Sequence, residues 1–357
     1  MAGMTASLTA RPNRVAILTV EEDLHAYAIR QNLADRHGIP CDIIETDRLA
    51  DSGGLEWSPT AEFAPVLSAL GGHRVDVRDL GLIWWRRPSG ISWMPPHRPK
   101  MPEGVSNEAA IDIITNDCRT TLAGLLFNEF RGVWVSHPDA SRHAENKLVQ
   151  LRAAHATGLR YPRTLVSQNP DSIRKFCAAL DNQVVVKTVS GTYMVPLTPG
   201  RVDDALLASD AAMRLSPAIY QEIIPGDRHL RVHMFGDEFH AALIRCEHLD
   251  WRFHLEDMQV EPYRLPLPLR NRLAETMRLL NINMGVMDLK LTPEGEPVWL
   301  EVNPQGQFLF IEGLASEMRL TDALADFFCR ELEGQRANSA SVCLDAGGMT
   351  QSAMSVC

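Results

Sequence analysis

The sequence predicts an α/β and α+β protein built from several domains, and three observations support that fold class. The chain opens with a strand, a helix and a second strand (14–20, 22–37 and 41–45), an order that is typical of a parallel sheet. Its middle part alternates short apolar strands with short helices, which indicates smaller α+β units. Its last third contains strand pairs around Gly236-Asp237 and Pro293-Glu-Gly-Glu296, and such polar turns are typical of antiparallel hairpins.

The remaining elements follow from the same patterns. A short apolar run predicts a strand, and a longer amphipathic stretch predicts a helix. After the opening unit, strands are predicted at 80–85, 133–135, 163–166, 183–187, 218–224, 230–235, 238–244, 285–290 and 299–305, and helices at 107–130, 139–157, 171–180, 268–280 and 321–332.

The element order divides the chain into four parts. We expect an N-terminal domain at 1–140, which ends in the linker that begins at His137-Pro138. A central subdomain at 141–217 and a C-terminal subdomain at 218–332 should follow it. The last part, 333–357, is rich in Ser, Ala and Gly and has few large apolar residues, so a disordered tail is expected there.

Composition excludes several functional classes. The 357 residues are 45% hydrophobic and 22% charged, with a net charge of -10, so nucleic acid is not expected as the main ligand. No stretch approaches the ~20 apolar residues that a membrane span needs, and the chain does not start like a signal peptide. Seven cysteines are scattered without a Cys-x-x-Cys pair, which favours reduced thiols. We expect a cytoplasmic protein with no membrane partner, and a homodimer is left open.

The last predicted hairpin carries three oxygen ligands. If the two strands fold back around the point between Glu294 and Gly295, Asp288 lies opposite Glu301. Asn303 then shares a face with Glu301, because residues two apart on a strand point the same way. Carboxylate and amide oxygens are ligands for hard cations, and Mg²⁺ usually shares its ligands with nucleotide phosphates. The hairpin therefore predicts a metal–nucleotide site.

Two lysines and a small-residue loop are candidates for the phosphates of a nucleotide. Lys187 ends an apolar strand, and Lys147 lies at the start of the central unit. The loop that follows Lys187 contains Ser190 and could bring backbone N–H groups close to phosphate oxygens. Each feature alone is more typical of a solvated strand end or a common turn.

The strand at 218–224 could hold a base, and the next strand could supply a further cation. An adenine needs apolar walls and main-chain hydrogen bonds, which Gln221, Glu222 and Ile224 could provide, and Asp227 could hold the ribose hydroxyls. Taken alone, this segment fits a core strand followed by a turn better than a nucleotide site. Arg231 begins the following hairpin, where a guanidinium could stabilise charge on a transferred phosphoryl group.

The order of these pieces resembles that of the ATP-grasp superfamily over about residues 140–330. The residues that occur in the superfamily's order are Lys147, Lys187, Gln221, Glu222, Arg231, Asp288, Glu301 and Asn303. The resemblance implies an ATP-grasp fold, in which two α+β subdomains clamp ATP and follow an N-terminal α/β pre-ATP-grasp domain. It also implies ATP and Mg²⁺ as cofactors, with Lys187 and Arg231 as catalytic cations.

A narrower resemblance, over about residues 14–330, is to the microviridin-type (graspetide) maturases of ribosomal peptides. The motifs that carry it are Ile83-Trp-Trp-Arg-Arg-Pro88, Trp134-Val-Ser-His-Pro138, Ala144-Glu-Asn-Lys-Leu148, Tyr161-Pro-Arg-Thr-Leu165, Val186-Lys-Thr188 and Glu301-Val-Asn-Pro-Gln-Gly-Gln307. One position departs from this family, which usually has an acidic residue for the ribose where this chain has His229. We expect Asp227 to take that role, and two alternatives remain open: weaker ribose contacts, or a ribose contact from His229 itself.

The family resemblance implies a reaction and a partner. The partner is a ribosomal precursor peptide with a leader and an acidic core. ATP would phosphorylate an Asp or Glu side chain of the core, and a Ser, Thr or Lys side chain would then displace phosphate, which forms an ester or amide macrocycle. Arg245 is our candidate for the residue that steers the acceptor.

Two other functions remain open from the sequence. An ATP-grasp ligase that joins free amino acids or adds glutamates to a protein tail would share the whole ATP site. A non-catalytic nucleotide-binding scaffold is the alternative from another class, although all three predicted metal ligands are present.

Overall fold

The structure is a computed structural model that describes residues 13–60, 62–88, 100–190 and 198–348. The chain divides into two compact units. The first unit contains the described residues up to Val135 together with those from Thr321 onward, and the second contains Ser136–Leu320. Among the described helices, none is both long and apolar enough to cross a membrane.

The elements are numbered here in chain order. The strands are β1 Val15–Thr19, β2 Cys41–Glu45, β3 Leu55–Glu56, β4 Val66–Ser68, β5 Arg74–Asp76, β6 Leu82–Trp85, β7 Val133–Val135, β8 Thr164–Ser167, β9 Val184–Thr188, β10 Gly200–Arg201, β11 Ala218–Glu222, β12 Arg228–Phe235, β13 Glu238–Arg245, β14 Gln259–Tyr263, β15 Met284–Leu291 and β16 Pro297–Asn303. The α-helices are α1 Leu24–Asn32, α2 Leu49–Ser52, α3 Glu108–Glu129, α4 Pro138–Glu145, α5 Lys147–Ala156, α6 Pro170–Ala178, α7 Asp204–Ala208, α8 Asp210–Arg214, α9 Leu267–Leu279, α10 Leu309–Leu314 and α11 Leu320–Gly348. A π-helical turn spans Leu33–His37, and 3₁₀ turns span Thr46–Arg48, Val77–Asp79, Trp251–Phe253, Leu255–Asp257 and Ser316–Met318.

The first unit is built on the parallel sheet that the opening of the chain predicts. Its strand order is β2-β1-β6-β7, and every pair in it is parallel. All five residues of β1 are buried, as expected for a strand that lies between two neighbours. Gly38 ends the helical segment after β1 in the left-handed conformation, with φ of 62°. A small antiparallel sheet, β3-β4-β5, was not predicted.

A buried ion pair lies at the carboxyl end of this sheet. Arg86 follows β6 and is fully buried, and its Nε donates to Oδ2 of Asp23 at 2.6 Å. Asp23 also accepts from the Thr19 hydroxyl at 2.6 Å and caps α1 by accepting from the backbone N–H of His25. The arginine therefore neutralises a buried carboxylate within its own unit.

The last helix belongs to the first unit, which differs from the predicted subdomain at 218–332. Phe328 of α11 packs edge-on against Trp84 with ring centroids 5.5 Å apart, and Arg36 pairs with Asp322 at 3.1 Å. These contacts explain why α11 joins the N-terminal sheet. The helix also continues to Gly348, into the segment for which we expected a disordered tail, and residues 349–357 lie outside the described residues.

The second unit contains two antiparallel sheets. The smaller has the order β10-β9-β11-β8 and packs α6 and α8 over a core that includes Ile173, Val184, Met213 and Tyr220. The larger has the order β14-β13-β12-β15-β16, and its core face packs against α5 and α9. Both predicted hairpins, β12–β13 and β15–β16, are confirmed in this larger sheet.

The stretch predicted as one helix at 139–157 is two helices. Asn146 between them is extended, with φ of -73° and ψ of 115°, so it ends α4. Its side chain then caps α5 by accepting from the backbone N–H groups of Leu148 and Val149. This break makes Lys147 the first residue of a new helix.

Candidate active site

The hairpin β15–β16 brings two acidic side chains together, as its register predicts. Asp288 lies opposite Glu301, and Val286 lies opposite Asn303. The register shifts between Asp288 and Leu289, because β16 carries one extra residue, Leu300, as a β-bulge. Bulges of this kind re-aim side chains, and here Leu300 and Glu301 both line the same cavity.

Helix α5 fixes this hairpin from the side. β16 is an edge strand, and the buried amide of Gln150 takes its free backbone groups: Nε2 donates to the Val302 carbonyl at 2.8 Å, and Oε1 accepts from the Val302 N–H at 3.0 Å. The same helix begins with Lys147, whose ammonium pairs with the Glu301 carboxylate. The hydrogen bonds of the buried Gln150 amide to the Val302 backbone thus help to fix the position of Lys147 relative to Glu301.

Arg231 is held rigidly beside Asp288. Its Nη1 donates to both carboxylate oxygens, at 2.8 and 3.1 Å, and its Nη2 donates to the Gln307 carbonyl at 2.9 Å. The guanidinium also lies 5.3 Å from each of two ring centroids, those of Trp251 and Phe310. Because β12 pairs with β15, Arg231 is the direct cross-strand neighbour of Asp288.

The loop after β16 reaches Arg231 because it contains a glycine. A Cβ on Gly306 would lie 2.3 Å from the side chain of Val286, so no other residue fits without displacement. This close approach lets the chain pass over β15 and deliver the Gln307 carbonyl to Arg231. The segment 304–307 therefore has a structural role in the site.

The smaller sheet supplies the other wall of the cavity. Lys187 of β9 lines it, together with Gln221 and Glu222 of β11 and Ile224 beyond the end of that strand. Burial lowers the pKa of Lys187, and the nearby charge of Glu301 opposes this effect. Four residues predicted for nucleotide binding thus lie in one cavity with the two predicted acidic metal ligands, Asp288 and Glu301.

Arg252 also lines this cavity, and the sequence reasoning missed it. Its guanidinium forms two 2.7 Å hydrogen bonds to Asp250, and its Nη1 lies 3.8 Å from Oε1 of Glu301. Burial alone would raise the pKa of Glu301, but Lys147, Lys187 and Arg252 outweigh it and hold that pKa well below its usual range. The carboxylate is therefore ionised and surrounded by three cations.

Six predicted site residues do not line the cavity: Lys147, Arg231 and Asn303 contact Glu301 or Asp288 at its edge, and the other three lie elsewhere. Arg245 is the last residue of β13, exposed and paired with Glu261 at 3.4 Å. Strand alternation explains its position: Ala242 lies opposite Arg231, so Arg245, three residues later, points to the other face. Asp227 and Ser190 are exposed and are not among the residues that line the cavity.

His229 lies in the cavity, in place of Asp227. It is buried, pairs across strands with Lys290, and lines the cavity together with that lysine. Burial lowers the pKa of His229 to about 4, and the charge of Lys290 contributes to this shift. Its Nε2 is buried and has no hydrogen-bond partner within the described part of the chain.

Comparisons with known proteins give matches in structure only. No family model and no curated protein matches the sequence. The macrocyclase MdnC of Microcystis aeruginosa MRC, solved with the precursor peptide MdnA, superposes with a TM-score of 0.77 at 23% identity, covering 89% of this chain and 99% of that chain. The chain has the ATP-grasp fold. This confirms the fold class that the sequence predicts.

Two further ATP-grasp structures are similar. The macrocyclase MdnB of Microcystis aeruginosa MRC superposes with a TM-score of 0.71 at 25% identity, covering 89% of this chain and 99% of that chain. The RiPP-associated ATP-grasp ligase of Chryseobacterium gregarium, solved with ADP and a leader and core peptide, superposes with a TM-score of 0.76 at 21% identity, covering 89% and 97%. The chain thus resembles RiPP-associated ATP-grasp macrocyclases, as its motifs indicate.

The donor set of the ATP-grasp cavity fits Mg²⁺. Asp288 and Glu301 offer carboxylate oxygens from facing positions, and Asn303 lies next to them, with its Nδ2 3.5 Å from Oδ2 of Asp288. Mg²⁺ prefers such oxygen ligands and completes its coordination with water and phosphate oxygens. The described residues that line this cavity include no cysteine, and their carboxylates favour a hard cation.

Proposed function

We propose that this ATP-grasp protein is an ATP- and Mg²⁺-dependent ligase that forms side-chain macrocycles in a ribosomal precursor peptide. It phosphorylates Asp or Glu side chains of the core and joins them to Ser, Thr or Lys side chains of the same peptide. The observation that carries the proposal is the convergence of oxygen ligands and cations on one cavity, in a chain that superposes along most of its length on peptide macrocyclases. The leader and core peptides bound to similar structures support a peptide substrate.

The residues of the cavity divide the work of phosphoryl transfer. Asp288, Glu301 and Asn303 hold Mg²⁺, which supplies charge neutralisation for the phosphates when it is bound. Lys147 and Lys187 cover the remaining phosphate charge. Burial disfavours the charged form of Lys187, so a phosphate beside its ammonium would favour that form, as Glu301 already does.

Two arginines serve the reacting carboxylate. Arg231 is fixed by Asp288, the Gln307 carbonyl and two rings, so its guanidinium is preorganised for charge on the transferred phosphoryl group. Arg252 lines the cavity beside Glu301 and takes the steering role that the sequence analysis gave to Arg245. An acidic core peptide would meet the guanidinium of Arg252 in the cavity, with Arg231 buried next to it against Asp288.

The atoms of the proposed reaction balance. An oxygen of the core carboxylate bonds to the γ-phosphorus of ATP, and ADP leaves. The hydroxyl or amine then bonds to the acyl carbon, phosphate leaves, and the nucleophile gives up one proton. Each linkage therefore removes the elements of one water from the peptide. We place this reaction in the cytoplasm, where ATP and a newly made precursor are both available.

The test is mass analysis of the precursor peptide after incubation with the purified protein, ATP and Mg²⁺. The expected product is lighter than the precursor by one water for each linkage and resists protease digestion within the ring. If the peptide stays unmodified while free amino acids or a glutamate-accepting tail stimulate ADP release, the protein is a ligase of the other ATP-grasp type. If neither substrate stimulates ADP release but ATP still binds, it is a nucleotide-binding scaffold.

A further inference from the structure

Outside the ATP-grasp cavity, the segment between β13 and β14 contains a cluster of metal-ligating side chains. Within the described ranges, His248, His254 and Asp257 form the one group of at least three His, Cys, Asp or Glu side chains whose ligand atoms converge, all within 4.8 Å of one another. They come from a ten-residue stretch with the spacing His-x₅-His-x₂-Asp. No step of the proposed ligase reaction uses them.

The geometry of the cluster is specific. Nε2 of His248 lies 3.0 Å from Oδ2 of Asp257, and Nδ1 of His254 lies 4.0 Å from the same oxygen. The two imidazoles stack face to face, with centroids 3.5 Å apart and planes inclined by 10°. Two histidines therefore present ring nitrogens to one carboxylate oxygen. Within the described part of the chain, no lysine or arginine lies within ion-pair distance of that carboxylate.

The chemistry of the three ligands differs from that of the hairpin site. Imidazole nitrogen suits Zn²⁺ and the neighbouring divalent transition metals, whereas Mg²⁺ takes oxygen ligands. Ligand distances of ~2.0–2.2 Å place the donors of one tetrahedral Zn²⁺ roughly 3.3 Å apart. The separations of 3.0 and 4.0 Å from Oδ2 of Asp257 lie on either side of this value, so a movement of under ~1 Å per ligand would bring these donors to it. Binding also needs one ring to rotate, because nitrogen lone pairs lie in the ring planes and parallel planes do not converge.

We propose that His248, His254 and Asp257 form a second metal site, which takes Zn²⁺ or a similar divalent transition metal, with water as the fourth ligand. The side chains are 42%, 38% and 55% exposed, so the ion can enter from solvent. The segment consists mainly of two 3₁₀ turns, Trp251–Phe253 and Leu255–Asp257, which can adjust by the small movement that coordination requires.

The site has a consequence for the ATP-grasp cavity. Trp251 and Arg252 lie between the two histidines in the chain, and both line that cavity. Trp251 also packs against Arg231. A metal that ties His248 to His254 closes a loop around these two residues and restricts their movement. The proposed metal would thus stabilise the wall of the cavity without touching the nucleotide.

The test is a Co²⁺ titration of the untagged full-length protein in excess Mg²⁺, which keeps the oxygen site occupied. The wild type should show one equivalent of Co²⁺ with visible absorption bands of a tetrahedral ion, and Zn²⁺ should displace it. His248→Ala and His254→Ala should each weaken binding by about tenfold or more, since loss of a metal's outer partner alone typically costs ~10–100-fold. His143→Ala, which removes an exposed histidine on α4, is the matched control and should bind as the wild type does.

Hydrogen exchange gives a second readout that does not depend on activity. Zn²⁺ should slow exchange of the backbone amides of 249–257 in the wild type and not in the two histidine variants. The inference fails if the wild type shows no such absorption bands, or if the histidine variants bind Co²⁺ as tightly as His143→Ala. Loss of ligase activity in any of these variants would leave this result unchanged, so the two proposals are tested separately.

Discussion

Asp288 and Glu301 face each other across β15 and β16 because Leu300 is bulged out of the ladder between them. Closer to the turn, Leu289 pairs with Trp299. Without the bulge, that register would continue and place Glu301 opposite Met287, which is fully buried in the core. A single extra residue thus keeps a carboxylate out of the core and in the cavity.

Glu301→Gln should leave the fold intact and remove most of the ligase activity. The substitution keeps the shape of the side chain but removes the charge that balances Lys147, Lys187 and Arg252. We expect turnover to fall by ~100-fold or more, the usual scale for loss of one preorganised electrostatic group. Peptide mass analysis and ADP release measure the loss, and circular dichroism checks the fold. Glu294→Gln, in the exposed turn of the same hairpin, is the matched control, and equal activity of the two variants would contradict the metal assignment.

Arg252→Ala should impair turnover of the precursor far more than Arg245→Ala. Arg252 lines the cavity beside Glu301, whereas Arg245 is on the other face of the sheet and pairs with the exposed Glu261. Loss of an exposed ion pair changes stability by at most ~1 kcal/mol, so Arg245→Ala should also fold normally. The measurement is kcat/KM for the peptide in both variants. A larger loss in Arg245→Ala would restore the role that the sequence analysis gave it.

Both hairpins were predictable from their polar turns, but the turn fixes the whole register in only one of them. Gly236-Asp237 sets one register along all of β12–β13, whereas the turn at 293–296 sets the register of β15–β16 only as far as Leu289 and Trp299. The predicted pairing of Asp288 with Glu301 is confirmed because the bulge at Leu300 shifts the register beyond that point. The bulge at Leu300 was not predicted, since nothing in the local sequence distinguishes it from a regular strand residue.

The residues that the sequence analysis missed lie where periodicity gives no signal. Arg252 is in a 3₁₀ turn between two strands, so no alternation relates it to the sheet. The short strand β14, which was not predicted, has a proline at 262 and little buried surface. Arg245 lies on the other face of the sheet because it is three residues from Ala242, the cross-strand partner of Arg231.

His229→Ala should weaken ATP binding, whereas Asp227→Asn should not. Nε2 of His229 is buried in the cavity and unpaired among the described residues, so it is available to a nucleotide hydroxyl or phosphate. Loss of one neutral hydrogen bond of ~0.5–1.5 kcal/mol raises KM for ATP roughly 2–12-fold. KM values for ATP and 2′-deoxy-ATP show whether His229 contacts the ribose 2′-hydroxyl. If it does, His229→Ala should distinguish the two nucleotides less than the wild type does. A larger effect of Asp227→Asn would support the sequence-based expectation instead.

Protonation of His25 should destabilise the first unit as the pH decreases. This loss of stability should begin at a higher pH than the loss caused by protonation of carboxylates. Burial, together with the charge of Arg86, lowers the pKa of His25 from 6.5 to about 4. Below pH 6.5 the unfolded chain binds a proton at His25, whereas the folded unit does not. The free energy of unfolding therefore decreases as the pH falls from about 6.5 to about 4. Below pH 4, His25 is protonated in both states and changes the stability little further. The shift corresponds to roughly 3 kcal/mol. Asp23 contributes to the pH dependence only in more acidic solution. Its pKa is depressed in the folded unit, so the stability that it provides is lost only as the pH falls below the usual pKa of an aspartate.

The variant His25→Gln isolates this effect. It cannot titrate, so its unfolding free energy should vary less between pH 7 and pH 4 than that of the wild type, even if it is less stable at neutral pH because the contact with Asp23 is weakened. Urea denaturation at a series of pH values gives both curves. Since His229 is also held neutral by burial and titrates in the same direction, the difference between the curves carries the information, not the wild-type curve alone. Parallel curves would mean that His25 titrates in the folded unit as it does in the unfolded chain, which would contradict the effect expected from its burial beside Arg86.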